Sequence, residues 1–235
     1  MAVSVVVPIV VGAIWVAYAW PSTAPALVPV PNAVSQFDQA KAIDQRVVVA
    51  RLDTIDLLLP VDLDATTAVA FHPVDQTNSV ALTPVGRQGD PSGISGTLAD
   101  IFASGGMRYY TMSGDGHDTS APTAGLDVGA VPGASVCAPA DGQIVGVTDY
   151  ELLGRYADTE IDIQLADDPS VVLTMTHIAD PQVTIGDVVT ADQTVLGTVR
   201  GFPPELHQEL RQFTNDNGDH VQIVAVQVPT PISGS

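Results

Sequence analysis

The chain has little positive charge, a single cysteine, Cys137, and a single lysine, Lys41. One cysteine excludes an intramolecular disulfide framework. Its setting, Ser-Val-Cys-Ala-Pro, predicts a buried and inert thiol. Only 8 Lys and Arg stand against 27 Asp and Glu, for a net charge of -19. Such a field repels phosphate backbones and anionic headgroups, which argues against nucleic acid and against peripheral membrane binding. The scarcity of lysine reads as a source that favours arginine codons or high salt; attraction to a cationic partner is the alternative. Charged residues make up only 15% of the chain and hydrophobic ones 46%, so a disordered protein is excluded and a real core is available. Twenty glycines and eighteen prolines, among many valines and threonines, point to β structure with frequent turns. At 235 residues there is room for one generous domain, or one domain and a smaller partner.

Residues 2–20 carry no charge and form one apolar run through Val5, Val6, Val7, Ile9, Val10, Val11, Ile14 and Val16. That length suits a membrane-spanning helix, kinked at Pro8, with Trp15, Tyr18 and Trp20 at an interface. Ala17-Tyr18-Ala19 also fits a small-x-small cleavage site, so a signal peptide competes with an anchor. A basic flank is missing for both, and a buried core strand is the third reading. An anchor or a cleaved signal would export the rest, making the protein membrane-anchored and extracytoplasmic, or secreted. Residues 21–31 form a Pro/Ala-rich linker.

Residues 32–106 read as a small α+β region of unassigned role. Helices are expected over 32–44 and 94–103, and strands over 47–50, 57–61, 68–71 and 79–82. His72, in Phe-His-Pro-Val-Asp, is expected to be a strand-end histidine satisfied by backbone. From 107 to 235 the pattern becomes a β meander, with strands over 108–112, 125–128, 135–138, 143–147, 160–165, 171–178 and 195–199. A helix is expected over 204–213 and a last strand over 220–228.

Five blocks in this second part occur in the order of a known family. They are Thr123-Ala-Gly-Leu-Asp127-Val, then Gly133 to Ile144 with Ala-Pro-Ala-Asp-Gly inside it, then Met175-Thr-His177-Ile. Val183 to Val189 with Gln193 to Gly197 comes next, and Asp219-His220-Val-Gln222-Ile closes the series. Residues 108–228 thereby resemble the LytM/lysostaphin-type zinc metallopeptidases, which cut peptide cross-links in bacterial peptidoglycan. The resemblance implies a mainly β fold of the duplicated-hybrid-motif, barrel-sandwich-like type.

It also implies a site. The family's three zinc ligands fall on Thr123, Asp127 and Gln222, so Asp127 is the only surviving ligand position. A hydroxyl and an amide are poor zinc donors beside imidazole. The family's two further catalytic histidines fall on His177 and His220, expected here as relict side chains. His117, in Gly-Asp-Gly-His-Asp, is the candidate substitute ligand, and His207 is expected on an exposed helical face. The helix over 204–213 replaces a short turn of the family and is expected to pack over the end of the groove, narrowing it.

The leading expectation is a cell-envelope pseudoenzyme without a cofactor that binds peptidoglycan or an envelope protein and regulates a wall hydrolase. The enzyme alternative is a zinc peptidase with a rebuilt metal site. A third alternative is a transporter-adaptor or another barrel-sandwich hybrid binding module. The carrier version of that module is excluded because Lys41 lies far from any hairpin tip, and a phosphocarrier conflicts with an exported chain. Oligomeric state is left open.

Overall fold

A computed structural model describes residues 47–90, 107–113 and 123–229. The apolar run 2–20, the linker, the helices expected over 32–44 and 94–103, and His117 lie outside these residues. Among the described residues no helix is long and apolar enough to cross a membrane.

Fourteen strands form two sheets among the described residues. The small sheet joins β2 (Ile55–Leu58), β1 (Val48–Leu52) and β4 (Thr83–Pro84). The large sheet runs, in spatial order, β12 (Val188–Val189), β9 (Gly142–Leu152), β10 (Tyr156–Leu165), β11 (Val171–Ala179), β14 (His220–Gln227), β7 (Gly125–Ala130), β3 (Thr66–His72), β6 (Arg108–Thr111) and β5 (Arg87–Gln88). Off this path, β13 (Val195–Val199) pairs with both β11 and β8 (Ser135–Cys137). Most ladders are antiparallel; β6 pairs in parallel with β3 and with β5.

The large sheet crosses the sequence boundary expected near 106. β3 runs antiparallel to β7 from Thr66↔Ala130 to His72↔Gly125. Strict alternation explains why these strands hold together: Val69 and Phe71 on β3, Leu126 and Val128 on β7, and Val221 and Ile223 on β14 all enter one core cluster. Ile144, Ile161, Ile163, Leu173, Met175 and Leu196, from strands far along the sheet, join the same cluster, so the sheet wraps around it. Cys137 is half-buried rather than buried, and burial raises its thiol pKa.

Two expected elements take another form. Residues 79–82 make only an isolated bridge, Ser79↔Val226, although Val80 N–H still donates to the Ala225 carbonyl at 2.8 Å. The helix expected over 204–213 is a series of turns leading into a short 3-10 helix, Glu209–Phe213. Leu210 and Phe213 are three apart, and a three-residue turn aligns them as well as an α-helix would. Both are buried, with Ala68, Ala70, Tyr110 and Met112, in a second cluster on the outer face of the sheet. The rings of Tyr110 and Phe213 stack with centroids 4.3 Å apart.

This second cluster anchors the 208–213 segment over β3 and β7. Leu210→Ala is therefore expected to destabilise the protein by about 2–5 kcal/mol, read as a lower midpoint in urea unfolding.

Candidate functional site

The outer face of β3, β7 and β14 carries the candidate chemistry. Alternation that sends Leu126 and Val128 inward turns Asp127 outward, and the same rule turns out His72, His220 and Gln222. Register then decides who meets whom. Gln222 lies directly across from Asp127, while His220 pairs with Gly129 and His72 with Gly125. The two histidines thus flank Asp127 diagonally, one from each neighbouring strand. Gly125 is needed for this, because a Cβ there would stand 2.2 Å from His72 Cε1.

His177 reaches the same place by a break in alternation. Leu173 and Met175 of β11 point into the core, and an unbroken strand would send His177 after them. The ladder slips here: Thr159 pairs with Ile178 but Ile161 with Met175, leaving an extra residue on β11. His177 takes the left-handed conformation, φ 66°. The bulge turns its ring to the pocket and returns Ile178 to the core. Such a backbone costs a non-glycine residue on the order of 1–3 kcal/mol.

Each imidazole is oriented through Nδ1. In the neutral rings, Nδ1–H of His72 donates to the Pro73 carbonyl at 2.9 Å and that of His220 to the Gly218 carbonyl at 2.7 Å. Nδ1–H of His177 donates to Asp158 Oδ2 at 2.7 Å. Asp158 is itself buried and accepts from the Tyr150 hydroxyl and the Thr159 N–H. Nε2 is therefore the acceptor on all three rings. The rings of His177 and His220 meet edge to face with centroids 4.9 Å apart, and Phe202 packs against both.

Asp127, only 5% exposed, is the centre of the arrangement. The Gln222 amide nitrogen lies 3.2 Å from Asp127 Oδ1 and 3.2 Å from His72 Nε2. One N–H can serve each acceptor, so the amide bridges them. A protonated His72 donates instead to Asp127 Oδ1, 3.3 Å from its Nε2. On the other side His220 Nε2 faces Asp127 Oδ2 at 3.8 Å, too far for a hydrogen bond.

The pKa shifts follow from this placement. Burial alone would raise Asp127, but His220, His72 and the Gln222 amide outweigh it and hold the carboxyl down at about 2. Burial pushes on His72 downward, yet the hydrogen bond and charge of Asp127 prevail and its pKa is raised. Burial dominates at His220, whose pKa is lowered.

Asp127, Gln222, His177 and His220 all line one pocket of about 190 Å³, with Gln208 and Glu209 of the overlying segment at its wall. Residues 204–213, as turns and a 3-10 helix, contribute Gln208 and Glu209 to the pocket lining. Thr123 is not among the pocket's lining residues; it lines a separate groove with Phe71 and Pro73. His207 is exposed. Two site residues escaped the sequence reading. His72 does bond to backbone as expected, but its other nitrogen faces Asp127, and only the β3–β7 register reveals that. Asp158 lies just outside the strand expected over 160–165 and had no signal in the sequence.

The zinc that the family resemblance implies needs three donors about 2.0–2.2 Å from one point. His72 and Asp127 are strong donors 3.3 Å apart, but the Gln222 amide nitrogen between them donates hydrogen rather than an electron pair, and His220 Nε2 stands off at 3.8 Å from the other Asp127 oxygen. Among the described residues no group of three His, Cys, Asp or Glu side chains could hold a metal ion. The residues as placed do not fit a zinc centre.

No protein-family model and no curated protein sequence matches the chain. Among solved structures it is similar to the catalytic domain of the prophage-encoded M23 protein EnpA from Enterococcus faecalis, at 19% identity and TM-score 0.34, over 49% of this chain and 76% of that one. It is also similar to a zinc-containing peptidase from Vibrio cholerae, at 14% identity and TM-score 0.33, over 77% of this chain and 43% of that one. A third is Helicobacter pylori Csd3, at 14% identity and TM-score 0.30, over 78% of this chain and 39% of that one. The chain thus spans less than half the length of the last two. These likenesses carry over no residue roles.

Asp127 contributes to the acid limb of stability. Its folded pKa of about 2 lies below the ordinary 3.8, so its contribution is present above pH 4 and lost as pH falls through about 2. That contribution is on the order of 2 kcal/mol. His72 and His220 shift in opposite directions, so their effects oppose each other near pH 6.5. Urea unfolding at pH 5 and pH 2 is expected to show a smaller drop for Asp127→Asn than for the unaltered protein; equal drops would place the acid lability elsewhere.

Proposed function

We propose that the chain is a cell-envelope domain of LytM-like kind that binds through its pocket and does not hydrolyse peptides. One observation carries this reading: the Gln222 amide bridges His72 and Asp127, taking up the lone pairs that a metal ion would need. A metal-bound water has a pKa near 7, whereas water without the metal stays close to its bulk value. A pocket closed in this way lacks a nucleophile at neutral pH. The five sequence blocks favour peptidoglycan, or an envelope protein that handles it, as the partner, including a wall hydrolase under regulation. The apolar run 2–20 favours an extracytoplasmic setting, tethered or secreted.

A second reading, a zinc peptidase with a rebuilt site, draws on His72. This residue gives Asp127 a strong neighbouring donor that the family-equivalent Thr123 does not provide. It requires a third donor: His220, whose Nε2 lies 3.8 Å from Asp127 Oδ2, or His177 or His117, or the Gln222 amide with its oxygen turned inward.

The two readings separate on metal content and products. The unaltered protein is expected to co-sediment with peptidoglycan, to release no cleaved peptides, and to be indifferent to a chelator. Gln222→His is expected to bind about one zinc per chain, because it completes a His-Asp-His donor set. Stoichiometric zinc in the unaltered protein, with chelator-sensitive cleavage, would replace the first reading by the second.

A further inference from the structure

The closed volume of the pocket conflicts with the size of what it is proposed to hold. It encloses about 190 Å³, whereas sites for even a drug-sized ligand run to about 300–1,000 Å³. His220 within it is only 3% exposed. A peptide or glycan strand reaches these side chains only after part of the wall moves. Strands β3, β7, β11 and β14 fix five of the lining side chains through their ladders, and Met112 is buried in the outer cluster. Gln208 and Glu209 are the lining residues with no such support.

The segment that carries them is held at its two ends and little between. At one end, Phe202 N–H donates to Asp219 Oδ1 at 2.5 Å, and its buried ring packs on those of His177 and His220. At the other, Leu210 and Phe213 are buried with Ala68 and Ala70 of β3 and Tyr110 of β6. Between these ends, from Pro203 to Glu209, no residue is buried. Leu206 N–H donates to the Pro203 carbonyl, and Arg211 N–H reaches back to that of Gln208 at 3.2 Å. Among the described residues no hydrogen bond ties 203–209 to the sheet, and Glu209 acts on His72 through charge alone. Segments with few buried contacts and no ladder open at a fraction of the free energy of global unfolding. We infer that Pro203–Glu209 is a lid, hinged at Phe202 and Leu210, that closes the pocket in this structure and must open before a ligand enters. The inference rests on the binding reading above and adds to it a step that controls access. Pro203 and Pro204 limit the conformations of the open lid and so favour the closed form.

The test treats the full-length protein with diethyl pyrocarbonate, which carbethoxylates unprotonated imidazole and requires no ligand. Mass spectrometry of proteolytic peptides gives the rate at each histidine. His207, exposed on the lid itself, reacts in either form and serves as the internal standard. His220 is expected to react far more slowly than His207. Its rate is expected to be nearly independent of urea below the unfolding transition, because lid opening exposes little surface. The double variant Pro203→Gly/Pro204→Gly is expected to speed the reaction at His220 about tenfold and to leave His207 unchanged. A rate at His220 that matches His207, that ignores the double variant, or that climbs with urea as steeply as global unfolding would overturn the lid. Co-sedimentation with peptidoglycan is scored separately. Its absence in both proteins removes the binding reading, while the His220 rates still decide the lid.

Discussion

A carboxylate buried in a sheet must be surrounded by groups that satisfy it, and Asp127 imposes that demand on its neighbourhood. Burial taken alone would raise its pKa and tend to neutralise it; the groups around it reverse the sign. Gln222 has to stand opposite with its amide nitrogen inward. His72 has to lie across Gly125, where any side chain would collide with its ring. His220 has to come from the other flank, with its Nδ1 tied to backbone. The overlying 208–213 segment then limits water access, and its hold depends on Leu210 and Phe213 in the outer cluster.

The site has two unequal halves. Around His72 and Gln222 the amide hydrogens of Gln222 serve both Asp127 Oδ1 and His72 Nε2. Around His220 and His177 the backbone is strained, through a bulge and a left-handed histidine. A strained residue whose ring is then fixed by a buried carboxylate is held in one orientation at the cost of local stability.

Much of the β architecture was legible in the chain. The alternation of 160–165, the apolar run of 171–178 and the last strand from 220 all correspond to strands, because period-two burial leaves a direct mark on the residue order. The segment 204–213 misled because Leu210 and Phe213 share a spacing that α and 3-10 turns both satisfy. Of the site, Asp127, Gln222, His177 and His220 were legible through the resemblance of their blocks, and they do line one pocket. His72 was not legible, since its own segment offers only a histidine before a proline at a strand end.

The amino-acid order alone settled which residues face inward and outward where alternation is unbroken, the excess of acid, and the replacement of imidazole by hydroxyl and amide at two positions. These are local properties, written in composition and period. Which strands lie side by side, and in what register, was decided only by the folded sheet. One residue of slip between β3 and β7 would have turned His72 into the core. The bulge in β11 likewise could not be read from Met-Thr-His-Ile, because it arises from pairing with β10 rather than from any preference of those four residues.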